Sequence, residues 1–268
     1  MVFSLLKVQR KLFSKSSTFL KKPIQSPFCV PRYAFCSKAS NNENKNYSQN
    51  EKEILLRFDD IDQTNVADKY DKIAATYEDM CDLLGYPDPG YIVKAFLKLN
   101  IPKDAPVIDF GCGTGLLGEE LEKDGFTNIV GIDCSAEMLK GAEKRGCYKE
   151  LRKVFLCSNS FPQEYTKKFD VAVSSAVLTH FLSPEVFEEK LESLRPKESE
   201  DDKRYLIFAT RMDVMGSQGF TQKLEDLEED GRMKLLETTS FTRYENMKEK
   251  EEVGIFRAVP GKCFVYEV

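Results

Sequence analysis

The feature that most constrains this chain is the run from Val107 to Gly115, which reads Val-Ile-Asp-Phe-Gly-Cys-Gly-Thr-Gly. Its first four residues predict a buried strand, and a helix is predicted to start directly after its last glycine. Glycine has no Cβ, so the backbone can turn tightly there and a ligand can approach the start of the helix closely. The run therefore predicts a strand, a tight loop and a helix that together form a binding site.

The glycine spacing fits two classes of ligand. From Gly113 to Gly118 the sequence also matches the dinucleotide fingerprint G-x-G-x-x-G, with Asp133 at about the distance expected for a ribose-binding acid. Asp109, however, lies beside the glycines, where a carboxylate repels a pyrophosphate and attracts a cation. Because S-adenosylmethionine carries an ammonium and a sulfonium, Asp109 favours it over NAD as the cofactor.

Hydrophobic patterns on both sides of this loop predict an α/β fold. An apolar stripe from Val66 to Leu84 predicts one helix, and a second helix is expected at 91–99. Strands and helices then alternate, which predicts a doubly wound, mostly parallel sheet preceded by a helical extension. The predicted strands are 107–110, 128–132, 153–157, 169–174 and 205–210, the helices are 116–123, 136–144, 184–194 and 218–229, and an antiparallel edge pair is expected at 233–239 and 263–268.

The first 42 residues have the composition of a mitochondrial transit peptide. They contain eight Lys or Arg and no acidic residue, and their apolar residues alternate with cations, as in an amphipathic presequence. The alternative is a disordered basic tail. We therefore predict a transit peptide at 1–42, import into the mitochondrial matrix, a polar linker at 43–64 and one folded domain at 65–268.

Charge and cysteine content disfavour several classes of function. Removing the eight basic residues of the leader from the total of 39 leaves 31, against 44 acidic residues. An acidic body of this kind makes nucleic acid an unlikely partner. The eight cysteines contain no C-x-x-C pair, so neither a metal site nor a disulfide framework is predicted, which suits a reduced compartment. No stretch has the roughly 18 apolar residues of a membrane span.

Polar residues follow the predicted strands in chain order, and ligands of doubly wound sheets lie across these strand ends. Asp109 ends the first strand. Asp133 ends the second, where a carboxylate can accept hydrogen bonds from both ribose hydroxyls; the alternative role is a helix cap. After the third strand, Ser158 and Asn159 are expected at an adenine edge, with Met138 as an apolar wall.

Four segments in this order resemble a class I S-adenosylmethionine-dependent methyltransferase, and the resemblance covers residues 65–268. They are Tyr70-Asp71 through Tyr77-Glu78, VIDFGCGTG, GIDCSAEML and FDVAVSSAVLTHF. Within that superfamily, 175–180 and 231–235 are similar to the methyltransferase-like group that includes the Williams–Beuren region protein. The resemblance implies a seven-stranded sheet with a reversed last strand.

The resemblance also implies roles for individual residues. The glycine loop would surround the methionine part of the cofactor, Tyr77 would form an aromatic lid over it, and Ser174 would lie beneath it. The implied cofactor-binding residues are Tyr77, Asp109, Gly111, Gly113, Gly115, Asp133, Met138, Ser158, Asn159 and Ser174.

Two further polar residues are candidates at the acceptor side. His180, the only histidine, falls just after the fourth predicted strand and is the candidate catalytic base; its alternative is a structural role in the loop. A sulfonium already has a good leaving group, so positioning can supply much of the rate without any base. Arg211, at the end of the fifth strand, is expected either to bind an acidic acceptor or to pair with a surface carboxylate.

The sequence thus predicts methyl transfer from S-adenosylmethionine to a small-molecule or protein acceptor. One alternative is a methyltransferase-like structural or assembly subunit of a mitochondrial complex, because folds outlive their chemistry. A further alternative, an NAD-dependent oxidoreductase, rests only on the overlapping glycine spacing.

Overall fold

A seven-stranded sheet lies at the centre of the fold. The computed structural model describes residues 47–57, 64–156, 161–177, 182–199, 201–215, 219–248, 253 and 256–268. Its strands are β1 (Val107–Phe110), β2 (Ile129–Asp133), β3 (Glu150–Lys153), β4 (Val171–Ser175), β5 (Tyr205–Arg211), β6 (Lys234–Arg243) and β7 (Val259–Glu267). They lie in the order β3-β2-β1-β4-β5-β7-β6. The first five are parallel and β7 is antiparallel to both neighbours, so the predicted doubly wound, mostly parallel sheet is confirmed.

Helices pack on both faces of this sheet. They are α1 (Gln49–Leu56), α2 (Val66–Ile73), α3 (Tyr77–Leu84), α4 (Asp88–Lys98), α5 (Leu116–Lys123), α6 (Ala136–Arg145), α7 (Pro184–Lys190), α8 (Met212–Met215) and α9 (Phe220–Glu229). Successive strand residues point to opposite faces. Val107 therefore shares a core with α4 and α5, whereas Ile108 shares another with α7 and α9. Among these helices, none is long and apolar enough to cross a membrane.

The third strand lies earlier in the chain than predicted. The sequence pattern placed it at 153–157, but β3 covers Glu150–Lys153 at the edge of the sheet and pairs only with β2. Arg152 and Lys153 are exposed there, so the strand lacks the apolar pattern of a central one. The apolar residues that suggested the strand follow it instead.

The helix predicted over 66–84 is interrupted. α2 ends at Ile73, a short 3₁₀ turn follows, and α3 starts at Tyr77. Thr76 makes the break, because its hydroxyl donates to the Ile73 carbonyl at 3.2 Å and its backbone leaves the helical region. Tyr70 and Tyr77 on the two halves have ring centroids 6.2 Å apart.

Part of the predicted linker is a helix. Ser48 and Glu51 form a reciprocal capping box at the start of α1, with the Ser48 N–H donating to Glu51 at 2.7 Å. Leu55 is fully buried and packs in the same cluster as Met80 and Leu84. The polar composition of this segment hid the helix, since few of its side chains enter the core. The predicted transit peptide at 1–42 lies outside the described residues.

Candidate functional site

A cleft of about 650 Å³ opens at the carboxyl ends of β1, β2 and β4. A smaller recess of about 320 Å³ adjoins it, and the two share Tyr77, Gly111, Gly113 and Ser175. The sheet topology therefore brings the predicted loop and acids to one place.

The glycine loop provides space rather than side chains. Gly111 has φ +72°, and a Cβ there would lie 2.1 Å from Cγ2 of Val177, so a larger residue requires the loop to move. Gly113 has φ +55°, and a Cβ there would meet no atom within 4 Å, because this glycine borders the open cleft. Gly115 instead lies against Ala142 of α6 and does not line the cleft or the recess.

Backbone amides of this loop tie it to the end of β2. The N–H groups of Gly111 and Cys112 donate to the Ile132 carbonyl at 2.8 and 3.0 Å, and the Gly113 N–H donates to Oδ2 of Asp133 at 2.9 Å. These three donors are therefore used within the protein. The loop therefore allows a ligand to approach its backbone closely, but these three N–H groups are not available to bind it.

Asp133 lies in the cleft and also holds the loop. Besides Gly113, the Ser135 N–H donates to its Oδ1 at 2.8 Å. Ser135 itself caps α6, because its Oγ accepts from the Met138 N–H at 3.0 Å, so the capping role belongs to Ser135. Burial raises the pKa of Asp133 above its ordinary value, although the amides of Ser135 and Gly113 oppose the shift. A carboxylate offers about four acceptor positions, which leaves capacity for hydroxyls of a ligand.

Asp109 lies at the recess with its carboxylate almost completely buried, at 1% exposure. Its Oδ2 accepts a hydrogen bond of 2.8 Å from the Tyr148 hydroxyl. Within the described residues its Oδ1 has no hydrogen-bond partner. Burial raises the pKa of Asp109 to about 7; the Tyr148 hydrogen bond lowers it and the Asp133 carboxylate raises it further. An unpartnered buried carboxylate oxygen favours a cationic ligand group in the recess.

Apolar side chains form the wall opposite the loop. Met138 is 1% exposed, and it lines the cleft with Val154, Phe155 and Leu156. The last three residues were predicted to lie in the third strand, so sequence reasoning missed their place in the site. Their position fits the flat apolar face of a ligand.

Ser174, which was predicted to lie beneath the methionine part of the cofactor, lines neither the cleft nor the recess. Ser174 is 3% exposed and its Oγ donates to the Phe110 carbonyl at 3.1 Å. Its neighbour Ser175 lines both the cleft and the recess, with its Oγ 2.6 Å from the hydroxyl of Tyr86. Strand alternation explains the difference, since adjacent side chains point to opposite faces.

Three predicted site residues lie outside the described residues: Ser158, Asn159 and His180. Their roles stay predictions. Tyr77, at the start of α3, lines both the cleft and the recess, as a residue that covers a bound ligand must.

Arg211 pairs with a neighbouring carboxylate, which is the second of its two predicted roles. Its Nε and Nη2 donate to Asp213 at 3.0 and 2.7 Å, and neither residue lines the cleft. Such a bidentate pair fixes the guanidinium away from a ligand.

Cys112, at the recess, is a buried thiol. Burial raises the pKa of Cys112, which lines the recess, well above its usual range, so this thiol stays protonated at neutral pH. Across the described ranges, no cluster of His, Cys, Asp or Glu has the arrangement of a metal site.

Comparison with known proteins identifies this domain. Residues 107–197, which hold β1 to β4 and the glycine loop, match the family model of a methyltransferase domain. The chain carries a class I S-adenosylmethionine-dependent methyltransferase domain.

Curated relatives of this methyltransferase domain span both protein and small-molecule enzymes by name. EEF1A lysine methyltransferase 2 of Danio rerio is 26% identical over 56% of this chain and 62% of its own length. Ubiquinone biosynthesis O-methyltransferase of Actinobacillus pleuropneumoniae serotype 7 is 34% identical over 47% of this chain and 57% of its own length. Methyltransferase-like protein 27 of Homo sapiens is 34% identical over 31% of this chain and 34% of its own length. The matches thus span less than two thirds of each relative.

Solved structures share the fold. A chain from the complex of the Haloferax volcanii Trm112 methyltransferase activator with a methyltransferase superposes with a TM-score of 0.50 and 16% identity, covering 76% of this chain and 96% of that one. The cyclase SpnF also superposes with a TM-score of 0.50 and 16% identity, covering 67% of this chain and 80% of its own. A fold that serves a cyclase as well does not by itself fix the reaction.

The methyltransferase site fits S-adenosylmethionine better than it fits NAD. The charged residues among the described lining of cleft and recess are two carboxylates, Asp109 and Asp133. They suit an ammonium, a sulfonium and ribose hydroxyls, whereas the pyrophosphate of NAD would face them without a compensating cation. The buried unpartnered oxygen of Asp109 supports the same choice.

Proposed function

We propose that this protein binds S-adenosylmethionine in the cleft and transfers its methyl group to a small molecule or a protein side chain. The proposal rests on two carboxylates beside the open glycine loop. The buried Asp109 lies at the recess, and Asp133 lies in the cleft. When bound, the cofactor supplies a methyl group on a sulfonium, which is already a good leaving group.

The protein's own residues would position the donor. Asp109 would offer its Oδ1 to the ammonium, Asp133 would accept hydrogen bonds from the ribose hydroxyls, and Met138 with Leu156 would pack on the face of the adenine ring. Tyr77 and Ser175 lie where the cleft and the recess meet, beside the place for the methionine part. Fixed orientation of this kind supplies a large part of the rate of a displacement between two bound reactants.

The charge of the cleft supports a neutral or cationic acceptor. Asp133 is the sole charged side chain among the described residues that line the cleft, and Arg211 is held by Asp213. An anionic acceptor would therefore lack a counter-charge in this part of the chain. Incubation of the protein with methyl-labelled donor and a cell extract distinguishes a protein acceptor from a small-molecule acceptor. Label enters the protein fraction in the first case and the small-molecule fraction in the second.

Asp133→Ala is expected to weaken binding of S-adenosylmethionine at least about tenfold, because hydrogen bonds to a charged acceptor contribute roughly 1.5–3 kcal/mol each. Titration calorimetry on the full chain measures this. Asp104→Ala is the control, since Asp104 is exposed and does not line the site. Wild-type protein that binds no cofactor, or an Asp133 variant that binds like wild type, would refute the proposed function.

We also propose that the chain is imported into mitochondria, on the basis of the eight cations and absent acids in residues 1–42. A fluorescent protein fused after residue 42 is expected to enter mitochondria, and replacing the leader's Lys and Arg with Gln is expected to abolish import. A cytosolic signal from the unmodified fusion would contradict the proposal. The alternative of a structural subunit stays a prediction.

A further inference from the structure

Tyr148 lies in the turn between α6 and β3 and reaches beneath the glycine loop. Two glycines make room for its ring. A Cβ on Gly118 would lie 2.3 Å from Cζ of Tyr148, and a Cβ on Gly131 would lie 2.8 Å from its Cδ1. The ring is therefore enclosed by α5 on one side and β2 on the other, which fixes the position of its hydroxyl.

That hydroxyl connects two parts of the donor site. It accepts a hydrogen bond of 3.2 Å from the Gly118 N–H in the first turn of α5, and it donates to Oδ2 of Asp109 at 2.8 Å. Burial and the neighbouring Asp109 carboxylate raise the pKa of Tyr148 well above its ordinary value, so the hydroxyl keeps its proton. With Oδ2 held in this way, the unpartnered oxygen of Asp109 is Oδ1.

We propose that Tyr148 is a positioning residue for the methyl donor, which holds the Asp109 carboxylate so that Oδ1 receives the ammonium of the ligand. This inference rests on the proposed function. Tyr148 itself lines neither the cleft nor the recess, so it acts through Asp109. Its sequence position gave no signal, because it lies 39 residues from its partner.

The role has a pH signature, because a cation binds the ionised form of Asp109. Two neighbours shift the pKa of Asp109. The hydrogen bond from Tyr148 lowers the pKa of Asp109, and the charge of Asp133 raises it. The thiols of Cys112 and Cys147 are also close, but burial raises the pKa of both, that of Cys147 to about 11, so they stay neutral. Affinity therefore rises with pH through the region near 7 and then levels. Without the tyrosine hydroxyl, ionised Asp109 loses a hydrogen bond, so its pKa rises. The rise of ligand affinity with pH then occurs at higher pH.

Titration calorimetry of S-adenosylhomocysteine on the full chain, from about pH 6 to about pH 8.5, tests this. For wild type, affinity is expected to fall about fivefold from pH 7 to pH 6, as linkage to one site near 7 requires. For Tyr148→Phe, we expect the pH dependence of affinity to lie about one pH unit higher than in wild type. The variant then binds about fivefold more weakly than wild type at pH 7 and nearly as well at about pH 8.5.

Tyr165→Phe is the control, because Tyr165 is also a tyrosine whose hydroxyl donates to a carboxylate, Glu150 at 2.6 Å, but it lies away from the cleft. Its profile is expected to coincide with that of wild type. If wild type fails to bind, the proposed function is wrong. If wild type binds and the Tyr148→Phe profile coincides with it, or is weaker by the same factor at every pH, Tyr148 has a packing role only and the inference is overturned.

Discussion

Asp88→Ala is expected to lower the free energy of unfolding by about 3–5 kcal/mol, the usual cost of leaving one partner of a buried ion pair uncompensated. Oδ1 of Asp88, at the start of α4, lies 3.3 Å from Nε of Arg243 at the end of β6, and the two side chains are 0% and 5% exposed. Burial raises the pKa of Asp88 while the Arg243 charge lowers it. Urea unfolding followed by circular dichroism measures the loss.

Two controls separate the charge from the packing. In the double variant Asp88→Ala with Arg243→Met, neither charge of this pair is left, so it is expected to be more stable than the single variant. Lys98→Ala breaks an exposed ion pair with Glu237 and is expected to cost no more than about 1 kcal/mol. An Asp88→Ala protein as stable as the Lys98 variant would show that the Arg243 charge is solvated.

This ion pair is also connected to the cleft. The Arg243 guanidinium lies 5.1 Å from the ring centroid of Tyr86, and the hydroxyl of Tyr86 bonds to Ser175 in the cleft lining. Arg243 also faces the ring of Tyr244 at 5.0 Å. Loss of Asp88 is therefore expected to disturb the cleft lining around Ser175 as well as the fold.

The central strands were predictable because burial on both faces gives them continuous apolar runs. β1 and β4 are buried over most of their length, and the predicted and observed bounds differ by no more than two residues. The edge strand β3 carries Arg152 and Lys153 and has no such signal. The helix α1 was missed for a similar reason, since the linker-like composition outweighed its single fully buried residue, Leu55.

The residues that line the cleft and the recess were predictable where a local motif contains them, and unpredictable where contacts join distant segments. Asp109, Gly113 and Asp133 come from two short motifs at strand ends. Tyr86 meets Ser175 across 89 residues, and a single sequence gives no pattern for such a contact. Ser175, which lines both the cleft and the recess, was not predicted as a site residue; it follows Ser174, and side chains along β4 alternate between the two faces.

Asp109→Asn is expected to make the ligand-free protein more stable and the cofactor-bound protein less so. The pKa of Asp109 is about 7 in the folded protein, against an ordinary value of about 3.9 in an unfolded chain. The folded state therefore holds more protons between these values, so its free energy of unfolding falls as pH rises from about 4 to about 7. Above that window the ionised carboxylate costs the fold up to about 4 kcal/mol, and asparagine removes this cost.

The same substitution removes the charge that receives the ammonium, so S-adenosylmethionine is expected to bind at least about tenfold more weakly. Thermal unfolding at pH 5 and pH 8, with and without cofactor, measures both effects. The variant is expected to gain stability chiefly at pH 8, whereas cofactor is expected to raise the melting temperature of wild type more than that of the variant. A variant less stable than wild type at pH 8 would mean that a contact in the folded protein already compensates the Asp109 charge. With the predicted result, the buried Asp109 carboxylate with its unpartnered Oδ1 lowers the stability of the ligand-free fold and strengthens ligand binding. Binding sites commonly lower stability in this way.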